Sequence, residues 1–146
     1  MLVIFTDGAS LGNPGPMGIG IVIYRDGIIV EELSEYIGSG TNNMAEYSAV
    51  VKALRTAHEM GEMEVHVKSD SELVIRQLNN EYRVRDPKLL ILKKEIDRLR
   101  STIKVSFEHI RREKNSEADR LSKEGAEIGR RRESERHEGK RKPHEA

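Results

Sequence analysis

The chain has 146 residues, sets 25 Lys and Arg against 25 Asp and Glu, and contains no cysteine. That length suits one domain whose core folds without covalent staples. The missing cysteines exclude disulfides and thiolate metal centres, and the zero net charge excludes an overall field that would collect polyanions, though not a local basic groove. The start of the chain lacks the charged segment, apolar run and cleavage site of a secretory signal, and no apolar run approaches membrane-spanning length. The expectation is a soluble, cytoplasmic protein.

Leu2 to Phe5, "LVIF", is a continuous apolar run of the kind found in a central strand covered on both faces. Asp7 follows as a lone acid at the strand's end. "GIGIVIYRDGIIVEELSEYIG" then reads as two strands joined at Arg25, Asp26 and Gly27, since Asp-Gly between apolar runs favours a hairpin. In "TNNMAEYSAVVKALRTAHEMG" the period changes: Met44, Tyr47, Val50, Val51 and Leu54 fall at helical spacing, and Gly61 stops the helix. "EVHVKSD" alternates as a fourth strand with Val65 and Val67 on one face. Ser71 to Leu78 forms a second helix. Asp86 and Pro87 open a third as cap and first-turn proline, with a stripe of Leu89, Leu90, Leu92, Ile96 and Leu99. "IKVSFEHI" is a fifth strand. Asn115 to about Gly129 is a last helix built on Ala118, Leu121 and Ala126.

The order β-β-β-α-β-α-α-β-α implies an α/β fold with a mixed sheet and helices packed on its faces. The domain is placed at residues 1–129. Residues 130–146, "RRRESERHEGKRKPHEA", carry no apolar periodicity and read as a charged, disordered tail, with loose clamping of nucleic acid as a sharper alternative.

Four acids fall at the ends of elements: Asp7, Glu46, Asp70 and Asp119. Each has a local explanation. Asn43 with Glu46, Ser69 with Glu72 and Ser116 with Asp119 are helix-start patterns, and Asp7 could cap the turn after it. Together they suggest more, because strand ends and helix starts gather at one edge of an open sheet, where such folds bind ligands. Four converging carboxylates repel one another, and divalent cations relieve that repulsion. An all-oxygen donor set suits magnesium or manganese, and two such ions form a clamp for displacement at a phosphodiester. No G-x-S-x-G pattern and no phosphate loop ending in Gly-Lys-Ser/Thr is present, which disfavours acyl transfer and ATP hydrolysis.

With these residues in view, the sequence resembles the type 1 ribonucleases H. The likeness covers nearly all of residues 1–129 and rests on "TDGASLGNPGPMG", "TNNMAEY", "SDSELV" and "EKNSEADRLSKEG", in that order. It implies a five-stranded mixed sheet, three antiparallel strands followed by parallel ones, with helices on both faces. It also implies an endonuclease that hydrolyses the RNA strand of RNA–DNA hybrids and leaves 5′-phosphate and 3′-hydroxyl ends. The family's metal-holding carboxylates fall on Asp7, Glu46, Asp70 and Asp119, with two Mg2+ or Mn2+ ions per site. Gly8, Ser10, Asn13, Thr41, Asn42 and Asn43 fall in the family's substrate-contact blocks. Asn43 is equally a candidate for plain helix capping. The small residues after Asp7 are read as giving an RNA backbone room to approach, or as forming a tight turn. The expected partner is the hybrid itself, bound by a monomer, with no membrane involved.

Two departures from the family's pattern stand out. The basic, Trp-containing protrusion of many bacterial members is missing from "NNEYRVRDPKLLILKKEI", where only Tyr82, Arg83, Arg85 and Lys88 offer substitutes. The mobile histidine of many members has His109 as its counterpart by interval, yet "FEHIRREKN" reads as a strand end, and Arg111 or Arg112 are alternatives for that space. The rival readings are a DNA nuclease on the same fold, a non-catalytic nucleic-acid binding module, and a small-molecule phosphatase.

Overall fold

In the computed structural model, which describes residues 1–141, strands β1 (Leu2–Ser10), β2 (Gly15–Arg25) and β3 (Ile28–Gly40) form an antiparallel meander. Asp26 and Gly27 both take positive φ, as a two-residue hairpin turn between β2 and β3 requires. Helix α1 (Asn42–Glu59) leads to β4 (Glu64–Ser69), which lies parallel to β1. Helices α2 (Glu72–Leu78) and α3 (Pro87–Arg100) follow, then β5 (Lys104–His109), parallel to β4, and finally α4 (Ser116–Arg141). The sheet order is β3-β2-β1-β4-β5, the mixed arrangement expected from the sequence. Among the described residues, no helix is long and apolar enough to cross a membrane.

The two sheet faces are built differently. Leu2 and Ile4 of β1, Ile19, Ile21 and Ile23 of β2, and Val65 and Val67 of β4 join one buried cluster with Tyr47, Val50 and Leu54 of α1 and Ile96 of α3. Burying each of these large side chains contributes about 1.5–3 kcal/mol, so this face holds the main apolar cluster of the fold. On the other face, α4 lies almost in contact with the sheet backbone. A Cβ on Gly18 would sit 2.0 Å from the Ser122 carbonyl oxygen, and one on Gly20 would sit 2.0 Å from that of Ala118. Glycine is required at both positions for the helix to come this close.

Four local expectations need correction. Strand β1 does not end at Asp7 but runs on to Ser10, because Asp7 to Ser10 still pair with β2. Helix α1 is capped by Thr41, whose hydroxyl accepts from the Met44 amide, not by Asn43. Helix α2 is capped by Ser71, so Asp70 precedes the helix and lies outside its first turn. Finally, α4 continues through Arg141, where a disordered tail was expected from Arg130. Arg, Glu and Lys are good helix formers, and the extension is tethered by the Tyr36 hydroxyl, which donates to Glu133 at 2.9 Å. The rest of that tail, 142–146, lies outside the described residues.

Candidate active site

The last parallel pair between β1 and β4 is Thr6 with Ser69. Asp7 and Asp70 are therefore the first residues on each strand beyond that pairing, and the topology alone sets them side by side. Glu46 reaches the same point from α1. A Cβ on Gly8 would lie 2.2 Å from the Ala45 carbonyl carbon, so only glycine lets α1 begin against β1. This revises the reason for Gly8. Its bareness serves the helix that carries Glu46, while its peptide lines the cleft.

Carboxylate oxygens of Asp7, Glu46 and Asp70 lie within 4.8 Å of one another. They line a cleft of about 490 Å3 together with Gly8, Ser10, Asn42, Asn43, Arg112, Asp119 and Lys123. Asp119, in the first turn of α4, shares the cleft but stands outside the tight trio, and its Oδ2 accepts from Lys123 at 3.0 Å. The four acids picked from the sequence thus meet in one cleft, three of them tightly.

This crowding leaves an electrostatic signature. Burial pushes the Asp7 carboxyl up to about 6, and the charges of Asp70 and Asp119 add to the rise, while hydrogen bonds with Ser122 and Glu46 oppose it. Burial, then the charge of Asp7, drive Glu46 well above the usual carboxylate range. Asp70 is raised by burial and by Asp119, with Arg112 pulling the other way. Glu46 Oε2 is also buried without any hydrogen-bond partner. An unpaired buried oxygen beside two further carboxylates is costly as it stands and fits the coordination of a hard divalent cation.

Around the acids the Asn residues form a chain. Asn13 Oδ1 accepts from the Asn42 amide at 2.9 Å, and Asn42 Oδ1 accepts from the Ser10 amide at 2.8 Å. Ser10 Oγ donates to the Gly40 carbonyl at 2.6 Å. The β1–β2 turn and the start of α1 are thereby locked together. Among the residues suggested for the family's mobile histidine, Arg112 lines the cleft, whereas His109 and Arg111 do not.

Three residues near the acids were missed in the sequence reading. Ser122 Oγ donates to Asp7 Oδ2 at 2.7 Å, Asn115 Nδ2 donates to the Thr6 carbonyl at 2.9 Å, and Lys123 pairs with Asp119. The signal was present: Asn115 and Ser122 are seven apart, two helical turns, and so share the face of α4 turned to the sheet.

Residues 5–125 match the family model described as reverse transcriptase-like. The solved RNase H1 of Halobacterium salinarum is 36% identical, superposes with a TM-score of 0.84, and is matched over 98% of its length by 87% of this chain. The chain belongs to the type 1 ribonuclease H family. LC11-RNase H1, solved in complex with an RNA/DNA hybrid, is 41% identical with a TM-score of 0.83, over 88% of this chain and 98% of that one. Among curated relatives, the ribonuclease HI of Halobacterium salinarum is 38% identical over 82% of this chain. A bifunctional protein of Mycobacterium tuberculosis is 36% identical over 87% of this chain. The chain spans 61% of the length of the first of these and 36% of the second.

Proposed function

We propose that this type 1 ribonuclease H is an endonuclease that hydrolyses the RNA strand of RNA–DNA hybrids, leaving 5′-phosphate and 3′-hydroxyl ends. The observation that carries this reading is the trio of buried Asp7 with half-buried Glu46 and Asp70, their carboxylate oxygens within 4.8 Å, with Glu46 Oε2 unpartnered. Such a group holds divalent cations, Mg2+ or Mn2+, with Asp119 completing the donor set for a second ion. When bound, the ions supply a water of lowered pKa and stabilise charge on the leaving oxygen.

The chain's own residues supply position and discrimination. Asp7 stands within β1 just past its pairing with β4, Asp70 directly follows β4, and Glu46 brings the third carboxylate from α1. Gly8 and Ser10 give a low cleft floor along which a nucleic-acid backbone can lie. Asn42 and Asn43 present neutral amides at the cleft, and Asn13, bonded to the Asn42 amide, extends them toward the ribose 2′-hydroxyl that distinguishes RNA from DNA. Thr41 acts indirectly, as the cap that fixes where the two Asn residues sit. Arg112 is the guanidinium at the cleft that can meet a phosphate, in the space considered for His109. No basic protrusion separates α2 from α3, so hybrid binding rests on the cleft and its rim, by a monomer in the cytoplasm. The domain proper is residues 1–129, with the extension of α4 as an appendage.

A strand-specific cleavage assay tests this. Labelled hybrid should be cut in its RNA strand with Mg2+ or Mn2+ and not with a chelator. Cleavage of double-stranded DNA instead would favour a DNA nuclease, and binding of hybrid without cleavage would favour a non-catalytic module.

A further inference from the structure

Ser122 is fully buried, and its hydroxyl lies 2.7 Å from Asp7 Oδ2 and 2.8 Å from the Asp119 carbonyl oxygen. Both neighbours are acceptors, and the hydroxyl has one proton to give. An ionised carboxylate is the stronger acceptor, so the proton goes to Asp7. The contact joins residues 115 apart in sequence. It exists because Gly18 and Gly20 of β2 have no side chains: any Cβ there would meet the backbone of Ser122 or Ala118 and push α4 away. Seven residues earlier, Asn115 pins β1 through the Thr6 carbonyl.

We infer that Ser122 is a positioning residue for the cation site: its hydroxyl fixes the orientation of the Asp7 carboxylate and ties β1 to the turn of α4 that carries Asp119. This rests on the reading of the acids as metal ligands. Removing the hydroxyl leaves Asp7 Oδ2 free to rotate away from Glu46 and Asp70, and loosens the spacing between Asp7 and Asp119. The cost falls on cation affinity, since groups that orient a ligand typically change it by 10–100-fold. Contact with the hybrid is unaffected, because Ser122 is sealed beneath the helix.

The test compares Ser122→Ala with Ser122→Thr, which keeps the hydroxyl, and with Thr56→Ala. Thr56 is a buried hydroxyl that donates to the Lys52 carbonyl inside α1, away from the cleft. Mn2+ binding is measured by calorimetry and by the rise in Tm with added Mn2+, and cleavage is measured against Mg2+ concentration. The expected result for Ser122→Ala is roughly tenfold weaker Mn2+ binding, a similar rise in the Mg2+ midpoint, and an unchanged KM for hybrid at saturating Mg2+. Thr56→Ala should match wild type in all three. An Mn2+ affinity for Ser122→Ala within twofold of wild type would overturn the inference, as would an equal loss in Thr56→Ala. Absence of Mn2+ binding in the unaltered protein would instead overturn the reading of the acids on which it rests.

Discussion

The chain treats its carboxylates in two opposite ways. In α3, Glu95 lies between Arg98 and Arg55, and hydrogen bonds from those two guanidinium groups hold its carboxyl down to about 2. In the cleft, Asp7 is pushed up to about 6 and Glu46 is raised well above the usual carboxylate range, with burial as the first cause in both. Glu95 is satisfied by the protein itself. The cleft acids are assembled without enough internal counter-charge. A crowded cluster of raised carboxyls without enough internal counter-charge fits an external cation, whereas Glu95 needs none.

The contrast breaks most sharply if the cleft is neutralised. Asp7→Asn or Asp70→Asn should reduce RNA-strand cleavage by at least about a thousandfold, since losing a metal-holding carboxylate forfeits several kcal/mol of transition-state stabilisation. The folded protein should persist, with a higher Tm in chelator than wild type because a buried like charge has gone. Full activity in either variant would remove the basis for the site.

Stability without metal should carry the same mark in its pH dependence. The Asp7 carboxyl titrates at about 6 in the folded protein against 3.8 for its ordinary value. Between those values the unfolded chain has lost the proton and the folded chain retains it, so stability falls as pH rises from about 4 to about 6. The fall amounts to about 3 kcal/mol for a shift of this size. Glu46, also raised, contributes a decline of the same sign. Glu95 acts with the opposite sign: its contribution is present above its ordinary pKa and is lost as pH falls toward 2. Denaturant melts in chelator should therefore show a maximum on the acid side of neutrality. Added Mg2+ should flatten the decline above it, and a decline unchanged by Mg2+ would mean the acids bind no cation.

Smaller effects sharpen the roles of neighbours. Gly8→Ala should destabilise the fold by about 1–3 kcal/mol, because its Cβ would meet the backbone of Ala45 at 2.2 Å. Chemical denaturation would register this even where activity survives. Arg112→Ala should lower cleavage and weaken the salt dependence of hybrid binding, with one fewer phosphate contact, whereas His109→Ala should leave both near wild type.

Which parts of this were legible beforehand follows from what each depends on. The succession of strands and helices follows from periodicity and turn residues, which are local, whereas the meeting of the four acids hung on β1 and β4 being neighbours, which the resemblance implied and local pattern alone does not fix. Helix caps were misplaced by two positions at both Asn43 and Ser69, because several Ser, Thr and Asn residues compete at those starts and only the backbone path selects Thr41 and Ser71. The spacing of Ser122 from Asn115 puts it on the sheet-facing side of α4, but its contact with Asp7 was not legible, because it depends on Gly18 and Gly20, more than a hundred residues away, letting α4 sit against the sheet. The helix from Arg130 to Arg141 was missed because it buries no apolar stripe and relies on propensity and on Tyr36 as a tether. At Gly8 the place beside the cleft was legible, but its close approach to the Ala45 backbone was not, because that contact comes from α1, far along the chain.

The smallest expected effect tests the other half of the contrast. Glu95→Gln removes the acid shared by Arg55 and Arg98 on the surface of α3, outside the cleft. Exposed ion pairs contribute little in water, so the variant should cleave hybrid like wild type and show the same dependence on Mg2+. Its one visible change should be a gentler loss of stability in strong acid, where wild-type Glu95 takes up its proton. If Glu95→Gln altered the Mg2+ midpoint, the two populations of carboxylates would be coupled, and the cleft's charge could not be treated as a local property of Asp7, Glu46, Asp70 and Asp119.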